Sequence, residues 1–386
     1  MKHKTAFVYG DALLSYHFHV DHPFNQDRVL LTKELLEETD TLKSTDIISP
    51  RKATDDEIEL FHDPTYVEAV KKAEKGQLTE AQGLEFGLGT EDTPFFPHMH
   101  DAACWLVGGT LTAVDAIIDN KTDHALNLGG GLHHAFKRRA SGFCIYNDAA
   151  VAITYIRKKY HLKVLYVDTD AHHGDGVQWA FYDDPNVCTF SIHETGRYLF
   201  PGTGNIHERG IKEGHGHAFN IPIDAFTEDE SFLHVYETAF RQIAAFFKPD
   251  IIITQNGADA HAYDPLTHLN LSMKSYEEIP LLARELAYEY CNGKWIALGG
   301  GGYDMWRVAP RAWAQVWNVM KLGHPIHGKI PETWLSKWQM ESPVSLPQNW
   351  QDDRAHFPVI PRKEAIEEKN TQLLHHALKF AEKSEQ

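Results

Sequence analysis

Residues 164–176 read VLYVDTDAHHGDG: four apolar residues without interruption, then three aspartates and two histidines within nine positions. Side chains that are apolar at successive rather than alternate positions mark a strand covered on both faces, as in a parallel sheet. The polar burst then falls at that strand's carboxyl end, where the loops of an open parallel sheet fan apart and ligands bind.

The same pattern recurs outward from this stretch. ALNL (125–128) runs into Gly129, VCTFSI (187–192) into His193, IIIT (251–254) into Gln255 and WIAL (295–298) into Gly299. Between these runs lie segments with helical spacing, starting at Asp101, Asn147, Glu228, Ser275 and Asp304. Strand alternating with helix predicts an α/β fold: one domain over residues 1–322, with a central, mainly parallel sheet flanked by helices on both faces. From about Gly323 the pattern changes, and Pro331, Pro343, Pro347, Pro358 and Pro361 punctuate a polar stretch. Residues 323–386 are therefore expected to form a C-terminal extension packed on the domain, ending in a helix-like segment near 363–383. No internal repeat or second core pattern stands out.

Composition narrows the function. The 386 residues are 42% hydrophobic, enough for a large core, and carry a formal charge of −17. Basic residues cluster only in two short runs, Lys137-Arg138-Arg139 and Arg157-Lys158-Lys159, so nucleic acid is not the expected partner. The same field attracts cationic partners such as lysine-rich peptides, or serves solubility alone. Cys104, Cys144, Cys188 and Cys291 form no C-x-x-C pair, which fits a reducing compartment. The N-terminus lacks a signal-like apolar stretch, and no uninterrupted apolar run approaches membrane-spanning length. A soluble cytoplasmic protein is expected.

Four strand ends deliver reactive groups to one rim. Asp170 and His172, two apart, can aim to one side, and Asp259 from a neighbouring strand can close the set. Three O, N and O ligands leave a position open for water, as in catalytic zinc sites, while the two-carboxylate set also suits iron(II), cobalt(II) or manganese(II). The ordinary alternative is that such carboxylates only cap turns. His133 and His134 follow three glycines, and the spare carboxylates Asp168 and Asp175 can orient them as two Asp–His dyads of different basicity. Tyr303, behind four glycines, can donate to an oxyanion. Phe143 and Phe200 lie in Gly/Pro-containing loops and can form a slot for a flexible chain, or simply pack beneath the loops. H-E-x-x-H, G-x-S-x-G, G-x-x-x-x-G-K-[ST] and G-x-G-x-x-G are absent, which removes support for zincins, serine hydrolases, P-loop NTPases and Rossmann dehydrogenases.

The ordered stretches HPFNQDRV (22–29), GTEDTP (89–94), GGGLHHAF (129–136), SGFCIYND (141–148), FPGTGN (200–205), QNGAD (255–259) and LGGGGYD (298–304) resemble the zinc-dependent histone deacetylase superfamily, whose fold is shared with arginases. HPFNQDRVLLT and the chain length resemble the bacterial acetoin-utilisation deacetylases most. The resemblance implies hydrolysis of acetyl-lysine in a protein or peptide substrate, with zinc on Asp170, His172 and Asp259. It also implies His133 and His134 as acid–base pair supported by Asp168 and Asp175, and Tyr303 as transition-state donor. The tunnel walls fall on Phe143, with Gly142 beside it, and Phe200; the rim acid on Asp92; an acetate-release channel on Arg28. A structural potassium would use carbonyls of Asp168, Asp170 and His172 with Ser191 and Ile192. Leu266 stands where polyamine-specific relatives place an acid, which favours peptide lysine over acetylpolyamines. Thr169 and Ala171 replace apolar residues more usual between the ligands, and Asp304 stands where several relatives have Asn. An arginase-like hydrolase with two manganese ions, a deacetylase of small acetylated amines and a non-catalytic acetyl-lysine reader remain as alternatives. Oligomeric state is not legible.

Overall fold

The computed structural model describes residues 4–379 and 381; residues 1–3, 380 and 382–386 of the expected domain and extension lie outside them. Eight strands, β1 (Thr5–Val8), β2 (Ile47–Ile48), β3 (His124–Asn127), β4 (Val164–Asp168), β5 (Val187–Glu194), β6 (Ala218–Ile223), β7 (Ile251–Gln255) and β8 (Trp295–Leu298), form one sheet. Its order is β2-β1-β3-β8-β7-β4-β5-β6, and each pairing is parallel, so the sheet is parallel throughout rather than mainly so.

Among the described residues twelve α-helices accompany it. The first six are α1 (Asp27–Glu38), α2 (Asp55–Ile58), α3 (Pro64–Glu74), α4 (Glu80–Glu85), α5 (Met99–Ile118) and α6 (Asp148–Tyr160). The rest are α7 (Asp175–Ala180), α8 (Asp229–Phe247), α9 (Met273–Cys291), α10 (Ala309–Leu322), α11 (Glu332–Gln339) and α12 (Lys363–Leu378).

The continuous apolar runs have a direct cause. Along each central strand successive side chains enter different cores: Leu126, Leu165, Ile252 and Trp295 meet α8, α9 and α10, while Ala125, Val164, Ile251 and Ile296 meet α5 and α6. Burial of each large aliphatic chain is worth about 1.5–3 kcal/mol, so both faces must be covered and the single domain is three layers deep. Helix α5 is long and apolar enough by composition to cross a bilayer, yet most of it is buried inside the protein against β3 and α6.

Helix α10 starts at Ala309, five residues later than the pattern from Asp304 suggested. Pro310 suits a first turn, and the Asp304 carboxylate accepts the Arg307 N–H at 2.8 Å, holding 304–308 as a loop. Beyond Gly323, α11 packs on α1, and α12 on α8 and β6.

The registers that place the site run across the sheet. Asn127 is opposite Leu298, Leu298 opposite Gln255, Gln255 opposite Asp168, and Asp168 opposite Ser191. The central strands β3, β8, β7 and β4 therefore end level, and their outgoing loops emerge side by side.

Candidate active site

Asp170 and His172 leave the end of β4, and Asp259 leaves β7, its neighbour. All three are buried, and their ligand atoms lie within 4.8 Å of one another. The Gly301 N–H donates to Asp170 Oδ2 at 2.7 Å, and the Ala171 N–H to Asp259 Oδ1 at 2.9 Å. The remaining oxygens, Asp170 Oδ1 and Asp259 Oδ2, lie 3.3 and 2.8 Å from His172 Nδ1. Ligands about 2.0–2.2 Å from one tetrahedral ion sit roughly 3.3 Å apart, so this trio fits a single first-row dication with little movement. Glycine is required on both flanks: a Cβ at Gly301 would lie 2.2 Å from Asp259 Oδ2, and one at Gly257 2.3 Å from Asp170 Oδ2. Burial and the neighbouring Asp170 push the Asp259 carboxyl up to about 6, the signature of surplus negative charge that a cation would relieve.

The tandem histidines lie beside this trio. His133 Nδ1 donates to Asp168 Oδ2 at 2.8 Å, and the Tyr166 hydroxyl donates to the same oxygen at 3.0 Å. His134 Nδ1 donates to Asp175 Oδ1 at 2.7 Å. Each imidazole thus has its own buried carboxylate, and the two rings are 4.0 Å apart. Burial disfavours charge on both. At His133 the charges of Asp168 and Asp170 outweigh it and push the ring up to about 9. At His134 burial, reinforced by His133, brings the ring down to about 4. The chain's own charges therefore make His133 the more basic ring, and a dication on Asp170 would cancel part of what raises it.

Ring contacts carry the site outward from Phe143 to Tyr303 (5.7 Å), Tyr303 to His172 (6.3 Å), His172 to Phe200 (6.5 Å) and Phe200 to His134 (5.0 Å). Gly142 lies between the walls: a Cβ there would approach His134 Cδ2 to 2.6 Å and Phe200 Cε1 to 2.8 Å. Gly142 and Phe143 both adopt left-handed backbone (φ 51° and 69°), and Tyr16 pins this bend by donating to the Phe143 carbonyl at 2.7 Å. Burial, Asp259 and Asp170 hold the Tyr303 phenol well above its ordinary range, so it stays a donor.

The other expected residues fall around this centre. Arg28 is buried between the rings of Phe24 (4.7 Å) and Trp313 (4.8 Å) and donates to the Gly302 carbonyl at 2.8 Å, while its Nε has no partner among the described residues. Asp92 is exposed; its carbonyl accepts from His22 Nε2 at 3.3 Å, and His22 contacts Phe143 at 4.7 Å, which ties the Asp92 loop to the slot. The Leu266 and Tyr303 N–H groups donate to the two oxygens of Asp264, at 3.0 and 2.7 Å, so a single buried carboxylate links these loops. Ser191 and Ile192 lie on β5 beside the β4 end. His193 Nε2 donates to the Gly204 carbonyl, so its Nδ1 accepts from the Ser191 hydroxyl at 2.8 Å, leaving that oxygen's lone pairs for a cation.

Several supporting residues escaped the sequence reading. Asp148 accepts the N–H groups of Gly131 and Leu132 and fixes the glycine turn before the histidines. The Asn147 amide donates to the His133 and Ala135 carbonyls at 3.1 and 3.0 Å. Asp264 and His22 act as described above. Three of these four stand inside quoted stretches, SGFCIYND and HPFNQDRV; nothing local to Asp264 announces it.

Comparison with known proteins agrees with this geometry. Residues 22–320 match the histone deacetylase domain family. Over 382 residues, 99% of this chain and 98% of the other, the protein is 59% identical to the acetoin utilization protein AcuC of Bacillus subtilis strain 168. It is 48% identical over 384 residues to AcuC of Staphylococcus aureus strain MRSA252, covering 99% and 98% of the two chains. Among solved structures, a histone deacetylase homologue complexed with SAHA superposes with a TM-score of 0.84 at 29% identity, covering 95% of this chain and 99% of that one. A homologue from Aquifex aeolicus gives 0.82 at 28%, with the same coverage. With its buried Asp/His/Asp site at the rim of a parallel sheet, the chain belongs to the histone deacetylase family and is a metal-dependent deacetylase.

Proposed function

We propose that this deacetylase acts on acetylated lysine side chains of proteins or peptides in the cytoplasm, with zinc on Asp170, His172 and Asp259. Bound there, the ion supplies Lewis-acid polarisation of the amide carbonyl and acidifies water. Iron(II), cobalt(II) and manganese(II) suit the same O, N, O donors. The acyl-lysine chain threads between Phe143 and Phe200, past Gly142, where only hydrogen leaves room. His133, held by Asp168, takes the proton from water, and His134, held by Asp175, relays that proton to the departing amine. The Tyr303 phenol donates to the oxyanion as the carbonyl carbon becomes tetrahedral, an interaction typically worth about 2.7–4 kcal/mol. Buried Arg28, with an unpartnered Nε, is suited to escort the acetate product. Asp92 on the exposed loop grips the substrate backbone, and apolar Leu266 does not reward the second amine of a polyamine. Potassium held near Asp168, Asp170, His172, Ser191 and Ile192 has a structural role in this reading. The four buried, unpaired thiols fit a reducing cytoplasm.

The reading rests on one observation: a dication trio, two carboxylate-held imidazoles and a phenol share a slot too narrow for any side chain at position 142. The test is acetate release by the purified, metal-analysed protein from acetyl-lysine peptides and acetylpolyamines side by side. Peptides are expected to be the better substrates, and His133→Ala, His134→Ala and Tyr303→Phe each to reduce turnover by about a hundredfold or more at near-normal metal content. If one histidine performs both transfers, one alanine variant falls much further than the other. Preference for polyamines, or retained activity in all three variants, sinks the proposal.

A further inference from the structure

The two basic runs, separate in sequence, line one groove between α6, α7 and the turn that follows the histidine pair. Arg157 and Lys158 come from the last turn of α6, and Lys137, Arg138 and Arg139 from the turn closed by the Phe136–Arg139 bridge. The groove holds about 750 Å³, within the roughly 300–1,000 Å³ of small-molecule sites. Three of the cations are already positioned. Arg157 Nη1 donates to the Leu162 carbonyl at 2.8 Å, Lys158 Nζ to the Leu60 carbonyl at 3.2 Å, and Arg138 Nη2 to Thr65 Oγ1 at 3.5 Å. The Lys137 and Arg139 side chains are exposed and make no hydrogen bond or ion pair among the described residues. The two acids on the lining are partly occupied: Asp183 pairs with Lys212, outside the groove, and Asp184 lies 3.5 Å from Arg157 Nε. In a chain of net charge −17, this is a local excess of positive charge.

Half of the remaining lining is aromatic, beside Leu60, Thr154, Gly176 and Ala180. Phe61, Phe136 and Phe181 form the floor, and Trp179 on α7, against Tyr182 at 4.4 Å, leaves 43% of its surface exposed beside the cations. Gly176 also lines the groove, and a Cβ there would lie 2.5 Å from the His133 and Ala135 carbonyls, so one thickness of backbone separates the groove from the histidine pair.

We infer that this groove binds a small phosphorylated ligand carrying a planar ring, the nucleotide class, with phosphates on Lys137, Arg139 and Lys158 and the ring on Trp179. Ammonium and guanidinium groups favour phosphate oxygens, and an exposed indole offers a stacking face to any base. An acidic peptide would satisfy the cations but has no planar ring for the indole, and the negative charge over the remainder of the molecule repels a nucleic-acid backbone.

The test titrates the full protein at low salt with ADP, with pyrophosphate and adenosine as its two halves and hexaglutamate as the peptide alternative, reading heat and tryptophan fluorescence. ADP is expected to bind more tightly than any of the other three. Lys137→Glu with Lys158→Glu should weaken ADP by about 30-fold or more, and Trp179→Ala by about tenfold. Each variant should keep its unfolding midpoint and metal content; if the double glutamate variant does not, Lys158→Ala, expected to weaken ADP by severalfold, takes its place. Absence of ADP binding, or ADP binding untouched by the charge variants, overturns the site. Hexaglutamate or pyrophosphate binding as tightly as ADP, or an unaffected Trp179→Ala, overturns the nucleotide class.

Discussion

The rim of the sheet and the seam that fastens the C-terminal segment both bury aspartate against histidine, yet they treat charge in opposite ways. At the seam Asp352 accepts from Arg311 Nη2 at 2.9 Å, from His261 Nε2 at 2.9 Å and from the Met273 N–H at 2.8 Å. Arg311 also holds the carbonyls of Asn349 and Trp350, so one guanidinium balances the carboxylate and clamps the segment around it. At the rim Asp168, Asp170, Asp175 and Asp259 are all buried, and no lysine or arginine pairs with any of them among the described residues. Arg28, the buried cation nearby, spends its hydrogen bond on a carbonyl. A cluster balanced by a permanently charged guanidinium is a fastener; one whose four carboxylates face only titratable imidazoles can exchange that balance for an external cation.

The sharpest way to break that contrast is Asp259→Asn. The amide preserves shape and still accepts the Ala171 N–H, but removes one negative ligand. Bound metal is expected to fall below stoichiometric and deacetylation by about a thousandfold, with chelation of the parent protein giving the same loss reversibly. Metal analysis beside acetate release reads both. Stoichiometric metal in the variant would mean that Asp259 is not needed to hold the ion.

Asp352→Asn is the matching test at the seam, and here stability rather than turnover should respond. Although burial opposes charge on Asp352, the hydrogen bond from His261 and the Arg311 charge hold its carboxyl well below the ordinary range. That depressed value stabilises the fold above the ordinary carboxylate range, and the contribution is lost as pH falls through the folded value. Removing the charge leaves Arg311 uncompensated, so denaturant unfolding near neutral pH should show a loss of about 3 kcal/mol, with metal content unchanged. A loss of metal instead would mean that the two clusters are not separate.

Much of the rim was legible because its signals are local. Continuous apolar runs announce β3, β4, β5, β7 and β8, and the polar residues following four of them are where the level strand ends bring them together. The strands at the sheet's edges were not anticipated. β2 is only two residues long, β1 pairs between it and β3, and β6 carries Pro222, which interrupts the pattern but is tolerated on an edge that needs no second row of donors. Asp264 was invisible for another reason: its role is defined by N–H groups at Leu266 and Tyr303, and the approach of residue 303 is fixed only by the sheet. The seam was equally hidden, since Asp352, Arg311 and His261 share no spacing that sequence can report.

The slot tests whether the rim is tuned for a slender substrate. Gly142→Ala adds a methyl that meets His134 and Phe200 at 2.6 and 2.8 Å, on backbone already left-handed at φ 51°. Metal should stay, whereas kcat/KM on an acetyl-lysine peptide should fall by about 30-fold, because misplacement at the reacting centre is costly. Unchanged kinetics would place the substrate path elsewhere.

The smallest effect concerns a buried histidine with no carboxylate paired to it among the described residues. His62 accepts the Asn147 N–H at Nε2 (2.9 Å), and Asn147 in turn holds the carbonyls of His133 and Ala135. Burial brings its pKa down to about 3, so it is neutral in the fold. As pH falls, the unfolded chain takes up this proton first, near 6.5, and the native state does not follow until about 3. The group's contribution is therefore whole above its ordinary value and shrinks with acidity between the two. Between about pH 7 and 5.5 that amounts to roughly 1 kcal/mol. His62→Gln keeps an acceptor for Asn147 without a titrating proton, so its stability should fall less steeply over this interval than that of the parent protein. Parallel slopes in urea unfolding at the two pH values would show that His62 carries charge in the fold, and that a partner for it lies within reach as one does at the seam.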